Sequence, residues 1–243
     1  MPQTIMITGA GSGIGKATAL QFIKSGWNVG LIGRRKNPLR EIAETTESAL
    51  ALSCDITDET AVEAAFSKVV DRFGRIDVLF NNAGIFTPGA AIDEISLDDW
   101  KYSVDVNLTG SFICAKHAFK IMRSQSPQGG RIINNGSISA QSPRPHSTSY
   151  TATKHAITGL TKSISLDGRP FNIACGQIDI GNARTEMVEA LAHRNTAAGR
   201  DPEYTMDVDD VARSVLHMAE LPLEANIQFM TIMATKMLLI GRG

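Results

Sequence analysis

The chain has 243 residues, of which 24 are lysine or arginine and 25 are aspartate or glutamate. Because these charges are interspersed and nearly balanced, the sequence excludes a basic stripe for nucleic acid and a basic cluster beside a membrane. No Pro/Gly/Ser-rich linker divides the chain, and its length suffices for a core without disulfides or metal. We therefore expect a single domain over residues 1–243 and no metal site.

The cysteines indicate a reducing compartment. Cys54, Cys114 and Cys175 are odd in number, have no CxxC spacing and lie in apolar or small-residue runs. The sequence has no basic segment leading into an apolar signal region, and no apolar stretch approaches the roughly 18 residues of a membrane span. We expect a cytoplasmic protein whose partners are small molecules and further copies of the chain, not nucleic acid or a membrane.

Short apolar runs rich in β-branched residues alternate with longer segments of helical period. Strands are predicted at residues 4–8, 28–32, 48–53, 77–80, 131–135 and 171–175, with a last strand at 227–233. Helices are predicted up to about Ser25, from Leu39, from about Glu59 to Phe73, through Val104, Leu108 and Phe112 to Met122, from about Ser149 to Leu166, and from Asp207 to about Glu220. This alternation predicts an α/β fold, a doubly wound three-layer sandwich with a mainly parallel sheet of about seven strands.

One segment interrupts this alternation. From Arg184 to Tyr204 the sequence is polar and has no clear period, and long loops of this kind are usually functional. We expect a substrate loop or lid over residues 184–205. Because ligands of parallel sheets bind beyond the carboxyl ends of the strands, the residues that directly follow each strand are candidates for the site.

A glycine-rich loop, TGAGSGIG, lies between the first strand and its helix. The missing β-carbons of Gly9, Gly13 and Gly15 let the backbone turn tightly and approach a phosphate at the helix N-terminus. The loop is not GxGxxG, because Ile14 stands where the last glycine belongs, and it is not a P-loop, because Ala17 follows the lysine. From these residues alone, a phosphate-binding loop and a tight turn without a ligand both remain open.

If the loop binds a dinucleotide, the residues after the second strand predict which one. An NAD site usually has an acidic residue there for the ribose 2′-hydroxyl, whereas this chain has Arg34 and Arg35. Two guanidinium groups favour a 2′-phosphate. We therefore predict NADP(H), with NAD(H) as the alternative.

Tyr150 and Lys154 are four residues apart in a predicted helix and share one face. A neighbouring ammonium lowers the pKa of a phenol, which suits proton transfer to a carbonyl oxygen during hydride transfer. Ser137 follows a strand, where its hydroxyl can hydrogen-bond a substrate oxygen, and no GxSxG elbow of a hydrolase surrounds it. Taken singly, Ser137 is typical of a turn and Tyr150 of a half-buried helix position. Only the combination of these residues favours a catalytic site.

These motifs occur together and in order. TGAGSGIG, CDITD, NNAG, VNLTGSF, Ser137 and YTATK, with the tyrosine thirteen residues after the serine, resemble the short-chain dehydrogenase/reductase family over about residues 3–180. The resemblance implies a Rossmann-type fold and an NAD(P)-dependent oxidoreductase that acts on a carbonyl or a secondary alcohol. It also implies a homotetramer or a homodimer.

The resemblance assigns roles to individual residues. Tyr150 would be the general acid/base, Lys154 would bond the nicotinamide ribose and lower the tyrosine pKa, and Ser137 would hold the substrate oxygen. Asn107 matches an asparagine that anchors a water of the proton relay. The residues matched to cofactor contacts are Gly9, Ser12, Gly13, Ile14, Gly15, Arg34, Arg35, Asp55, Ile56, Asn82, Ala83, Gly84, Tyr150, Lys154 and Ile178. Without the resemblance, NNAG reads as a turn and Asp55 as a helix cap.

The chain departs from the family pattern near the sixth predicted strand. Cys175 replaces the usual proline before Gly176, and Ile180 stands where a threonine often contacts the carboxamide, a part that Thr185 could take. Arg144, His146 and Gln177 could bond a polar group of the substrate, and Ile85, Phe86 and Met187 would line an apolar wall. Between Pro145 and Ser147, however, His146 is more typical of an exposed loop residue.

Two other functions remain open from the sequence. The first is a redox-sensing or regulatory protein that binds NADP(H) without efficient turnover. The second is an epimerase or dehydratase on a nucleotide sugar, which would use the same tyrosine and lysine but usually carries a larger C-terminal domain.

Overall fold

The computed structural model describes residues 2–186, 188 and 204–240. Within these residues the centre of the fold is a seven-stranded sheet in the order β3-β2-β1-β4-β5-β6-β7, with every neighbouring pair parallel. The strands are β1 Thr4–Thr8, β2 Asn28–Gly33, β3 Ala49–Ser53, β4 Val78–Asn81, β5 Gly130–Asn135, β6 Ile173–Ile180 and β7 Phe229–Ile232. The predicted doubly wound α/β fold is confirmed, including its last strand.

Helices lie on both faces of the sheet. They are α1 Gly13–Lys24, α2 Lys36–Ala43, α3 Glu59–Phe73, α4 Leu97–Val104, α5 Gly110–Ser124, α6 Thr148–Gly168 and α7 Val208–Glu220. The prediction that α2 begins at Leu39 was late by one turn, because the apolar periodicity starts only after a polar first turn that contains Pro38. The strand predicted at residues 171–175 is β6, which extends to Ile180. Gln177 and Asp179 interrupt its apolar pattern and so obscured its length.

Two apolar clusters form the core, one on each face of the sheet. Ile5 and Ile7 of β1 belong to the cluster beneath α1, α2 and α7, whereas Met6 between them belongs to the cluster beneath α3 and α5. Successive side chains of a strand point to opposite faces, so a strand buried on both sides is continuously apolar. Both faces of β1 are therefore covered, and its carboxyl end opens toward the site.

The crevice of this fold lies beyond the carboxyl end of β1, where the strand order reverses between β2 and β4. Ala183 and Met206 form a parallel bridge near this edge, in which the Arg184 N–H donates to the Met206 carbonyl at 2.8 Å and the Met206 N–H donates to the Asn182 carbonyl at 2.9 Å. The predicted lid over residues 184–205 falls mostly outside the described residues, but its two ends meet at this bridge. Across the described part of the chain, no helix has the length and hydropathy needed to cross a bilayer.

Candidate active site

The glycine loop forms the turn between β1 and α1. Gly9 has a φ of +67° and Gly13 a φ of +51°, both in the left-handed region that favours glycine. A Cβ on Gly15 would overlap the Gly9 carbonyl oxygen, so α1 can start this close to the turn only without a side chain there. Ser12 is the N-cap, and within the described chain its hydroxyl makes no capping hydrogen bond. The glycine cradle and the first-turn N–H groups fit a cofactor phosphate.

Thr8 links the glycine loop to the segment that follows β4. Its hydroxyl oxygen accepts hydrogen bonds from the N–H groups of Asn82 and Ala83, each at 2.9 Å, and its carbonyl accepts one from Asn82 Nδ2 at 2.9 Å. Asn82 Oδ1 in turn accepts a bond from Asn135 Nδ2 at 3.0 Å, at the end of β5. Hydrogen bonds thus join the carboxyl ends of β1, β4 and β5. The sequence analysis selected Asn82 and Ala83 but missed Thr8 and Asn135.

Asp55 shapes the turn that follows β3. Its Oδ1 accepts hydrogen bonds from the N–H and the hydroxyl of Thr57, at 3.0 and 2.8 Å. The cap of α3 is instead Asp58, whose side chain accepts a bond from the Ala61 N–H at 3.0 Å. The reading of Asp55 as a helix cap is wrong, and its cofactor contact stays a prediction.

The side chains of Ile56 and Ile178 lie in the core. The Cδ1 atom of Ile56 packs so close to Gly110 that a Cβ there would lie 2.6 Å from it. Ile178 is fully buried, and its carbonyl accepts a hydrogen bond from the Gly136 N–H at 2.9 Å. Any cofactor contact of these two residues therefore runs through their backbone.

Arg34 and Arg35 follow β2 and are both exposed. Arg35 is the N-cap of α2, and Arg34 Nη1 donates a hydrogen bond to the Tyr102 hydroxyl at 3.1 Å. Tyr102 lies in α4, far along the chain, so this bond spans from the end of β2 to the helix after β4. The guanidinium of Arg34 is thereby restrained near the carboxyl end of β2.

Tyr150 and Lys154 lie one turn apart on α6, as predicted. Lys154 is 5% exposed, and its Nζ donates to the Asn135 carbonyl at 2.7 Å and lies 5.5 Å from the centre of the Tyr150 ring. Burial lowers the pKa of Lys154 to about 8, while the nearby Asp179 carboxylate acts in the opposite direction. The Lys154 ammonium is therefore charged at pH 7 and loses its proton as the pH rises through about 8.

Ser137 follows β5 and lies near the Tyr150 hydroxyl. Its hydroxyl oxygen caps a 3-10 turn at Ile138–Ala140 by accepting a bond from the Ser139 N–H at 3.1 Å. Burial raises the pKa of Tyr150, as does the Asp179 charge, whereas the nearby Ser137 hydroxyl and the Arg144 charge lower it. The sequence predicted a lowered pKa, but among the protein groups burial dominates. A positively charged nicotinamide ring beside Tyr150 would lower the pKa of the phenol and so oppose the effect of burial.

Asn107 lies in a π-helical turn, Asp105–Thr109, that divides the helix predicted through Val104 and Phe112. Its Oδ1 accepts from the Ile85 N–H at 2.8 Å and its Nδ2 donates to the Ile85 carbonyl at 3.0 Å. A Cβ on Gly84 would lie 3.3 Å from the same Oδ1. The π turn thus aims Asn107 at the segment after β4, and such turns are frequent at functional sites.

The residues expected to contact substrate separate into two groups. Phe86 stacks on Tyr150, and Arg144 Nη2 donates to Asn182 Oδ1 at 2.9 Å, so both border the site. Gln177 does not, because it is fully buried and bonded to Thr158, Thr161 and Asp179. The expectation for Gln177 was wrong, and Met187 lies outside the described residues.

A model of the family described as short chain dehydrogenase matches residues 3–196. The chain belongs to the short-chain dehydrogenase/reductase family. Members of this family are NAD(P)-dependent oxidoreductases, and the Rossmann-type fold described above agrees with that assignment.

Named relatives of this short-chain dehydrogenase/reductase include the 3beta-hydroxysteroid dehydrogenase of Mediterraneibacter gnavus. The two are 33% identical over 189 residues, which cover 76% of this chain and 67% of the relative. The 3-ketoacyl-(acyl-carrier-protein) reductase of Brucella melitensis, solved with NADH, superposes with a TM-score of 0.86 at 26% identity, over 95% of this chain and 96% of that one. ElxO, solved with NADP, gives a TM-score of 0.85 at 29% identity, over 96% and 97%. These likenesses support a nicotinamide cofactor.

Proposed function

We propose that this chain transfers a hydride between NADP(H) and a carbonyl or secondary alcohol, with Tyr150 as the general acid/base. One observation carries the proposal. The Ser137 hydroxyl lies close enough to Tyr150 to lower its pKa, and the Lys154 ammonium donates to the carbonyl of Asn135 at 2.7 Å, only two residues before that serine. The three groups therefore lie where β5 ends. Hydrogen bonds from Asn135 to Asn82 and from Asn82 to Thr8 connect this end of β5 to the glycine loop.

In the reducing direction, Ser137 and Tyr150 hydrogen-bond the substrate carbonyl oxygen as negative charge develops on it. Tyr150 then gives its phenolic proton to that oxygen, so the carbonyl becomes an alcohol and the tyrosine a phenolate. A reduced nicotinamide, when bound, would supply the hydride, with its two electrons, to the carbonyl carbon. Oxidation runs through the same groups in reverse, with Tyr150 as the base.

Lys154 stabilises the phenolate because its ammonium lies beside the tyrosine ring. Reprotonation of Tyr150 then proceeds through Lys154 and a water that we assign to Asn107. Both polar atoms of the Asn107 side chain already bond Ile85. We therefore assign the water to the backbone carbonyl of Asn107, which also accepts a bond from the Ser111 hydroxyl at 3.1 Å.

The preference for NADP(H) rests on Arg34 and Arg35, which follow β2 where an NAD site usually has an acidic residue. Both guanidinium groups are exposed, and the Tyr102 hydroxyl restrains Arg34. A charge-assisted bond from Arg34 to a 2′-phosphate would be stronger than a bond to a 2′-hydroxyl. Since the solved relatives include one with NADH and one with NADP, the choice is a property of this chain's own residues.

The test is Tyr150→Phe, assayed against a panel of ketones, aldehydes and diketones with NADPH and NADH, by nicotinamide absorbance. We expect kcat to fall at least about a hundredfold, within the range of acid–base contributions, while NADPH still quenches or shifts protein fluorescence on binding. Ser163→Ala, at an exposed position of the same helix α6, is the control. Binding of NADPH without reduction of any panel member would favour the sensor, and turnover without net cofactor oxidation would favour an epimerase.

A further inference from the structure

Asp179 is a buried carboxylate directly behind the proposed proton-transfer site. It is 3% exposed, near the end of β6. Its Oδ1 accepts hydrogen bonds from the Ser137 N–H at 3.0 Å and from Gln177 Nε2 at 2.7 Å, and its Oδ2 accepts one from Gln141 Nε2 at 3.0 Å. These three donors are neutral. A buried charge is costly without an opposite charge nearby, so the position calls for a cation.

The backbone is shaped to receive this carboxylate. A Cβ on Gly136 would overlap Asp179 Oδ1 and would lie 2.6 Å from Gln177 Nε2. Only glycine at position 136 lets the acid approach the N–H of the next residue, Ser137. The carboxylate is therefore part of the geometry of the β5–α6 connection rather than a polar residue that happens to be buried.

One candidate for its counter-charge is Lys154, the buried ammonium on which the Asp179 charge acts. Asp179 and Lys154 bond opposite ends of the tripeptide 135–137, since the ammonium holds the Asn135 carbonyl at 2.7 Å and the carboxylate holds the Ser137 N–H. The other titratable or charged groups whose fields act here are Tyr150 of α6 and Arg144 of the loop before α6. β7 contributes Thr231, a neutral group that accepts from Gln141 Nε2 at 3.2 Å.

We propose that Asp179 is a positioning residue of the site, in which its carboxylate fixes Ser137 through the backbone and its negative charge compensates the buried ammonium of Lys154. The inference rests on the proposed function, because it assigns Ser137 and Lys154 to the reaction. It explains why an acid interrupts the apolar pattern of β6 and why Gly136 precedes the serine. Asp179 itself touches neither the substrate oxygen nor the transferred proton.

The experiment follows the titration of Lys154 in the protein itself, by the ¹³C shift of its Cε in NMR spectra, with Lys154→Arg as the assignment control. In the unchanged protein the midpoint is expected at pH about 8. Asp179→Asn keeps an oxygen acceptor for the Ser137 N–H but removes the charge, and it should move the midpoint down by about one pH unit. An unchanged midpoint in folded Asp179→Asn would overturn the proposal.

Gln141 offers a second pair of variants in case Asp179→Asn does not fold, since Gln141 is exposed at the rim. Gln141→Lys places a cation beside Asp179 Oδ2 and should also lower the Lys154 midpoint, whereas Gln141→Met removes only a neutral donor and should leave it in place. Equal midpoints in the two Gln141 variants would also contradict the inference. The titration needs no turnover, so it is read independently of whether the proposed reductase activity is found.

Measurements of turnover then distinguish a positioning role of Asp179 from a purely structural one. In the active protein, Asp179→Asn should lower kcat/KM about fivefold at pH 8, the fall in the protonated fraction of Lys154 for that shift, and move the descending limb of its pH profile down with the lysine midpoint. The affinity for NADPH should change less than about twofold. A uniform loss of activity at every pH, with an unmoved limb, would indicate a structural role only.

Discussion

The aromatic rings of Phe86 and Tyr150 are stacked, with their centroids 4.1 Å apart and their planes inclined by 28°. Phe86 lies in the segment after β4, which Asn107 holds through the neighbouring Ile85, and half of its surface is exposed. One face of the tyrosine is therefore covered by an apolar ring that a substrate must pass or contact. Phe86 forms an apolar wall of the proposed carbonyl site.

We predict that Phe86→Ala raises KM for aromatic and large aliphatic ketones about three- to tenfold, as expected for the loss of one aromatic contact. The variant should leave kcat within about twofold, because the ring donates no proton. Steady-state kinetics on a series of ketones of increasing size checks this. The KM of Phe86→Leu should lie between those of the unchanged protein and of Phe86→Ala. A fall in kcat with unchanged KM would show that the ring orients Tyr150 instead.

The lowered pKa of Lys154 predicts a pH dependence. A lysine is charged below its pKa, so with a pKa of about 8 the ammonium is present at pH 7 and is lost as the pH rises through 8. Because the phenolate of Tyr150 needs that charge, kcat/KM for reduction should fall with one descending limb near pH 8, measured from pH 6 to 10. Lys154→Arg keeps its charge over this range, so any residual activity should lack the limb. The same limb in both proteins would assign it to another group.

Arg34 sets the predicted cofactor preference. Arg34→Ala should weaken NADPH binding about 10- to 100-fold, which corresponds to a hydrogen bond with a charged group, and should change NADH binding less than about twofold. Titration calorimetry with both cofactors measures this, with Arg40→Ala, at an exposed arginine of α2, as the control. Tyr102→Phe removes the 3.1 Å bond that restrains Arg34 and should weaken NADPH by a smaller factor. Equal losses for NADPH and NADH would contradict the 2′-phosphate assignment.

Gly15 is predicted to be the least replaceable residue of the glycine loop. In Gly15→Ala the new Cβ would overlap the Gly9 carbonyl oxygen, so the turn must open. The free energy of unfolding should fall by about 1 to 3 kcal/mol, the usual cost of overpacking, and cofactor affinity should fall with it. Gly159→Ala in α6 adds a Cβ into open space and is the control. Denaturant unfolding and NADPH titration measure both effects, and a Gly15→Ala protein that binds NADPH normally would contradict a phosphate cradle.

Much of this architecture follows from local pattern. The alternation of apolar runs and helical period predicted the strand sequence and the parallel sheet, and four-residue spacing placed Tyr150 and Lys154 on one face of α6. The bounds of α2 and β6 were missed where polar residues occupy helical or strand positions, as Gln177 does in β6. The roles of the individual site residues stay predictions.

Other parts of the site depend on which strands become neighbours. The bonds from Thr8 to Asn82 and from Ser137 to Asp179 join residues that are distant in sequence, and they exist only because β1 adjoins β4 and β5 adjoins β6. The sequence analysis does not select Asp179, because nothing local reveals what a buried acid faces. The signals available in the sequence were a polar residue in an otherwise apolar strand and a glycine directly before Ser137.

The bridge between Ala183 and Met206 connects the end of β6 to the segment that leads into α7. The two backbone hydrogen bonds at Arg184 and Met206 fix the spacing and direction of the chain where it leaves β6 and where it approaches α7. These bonds use backbone groups alone, so they do not depend on which side chains occupy the three positions. We therefore expect the frame that holds Ser137, Tyr150 and Lys154 to be set independently of the predicted substrate loop over residues 184–205.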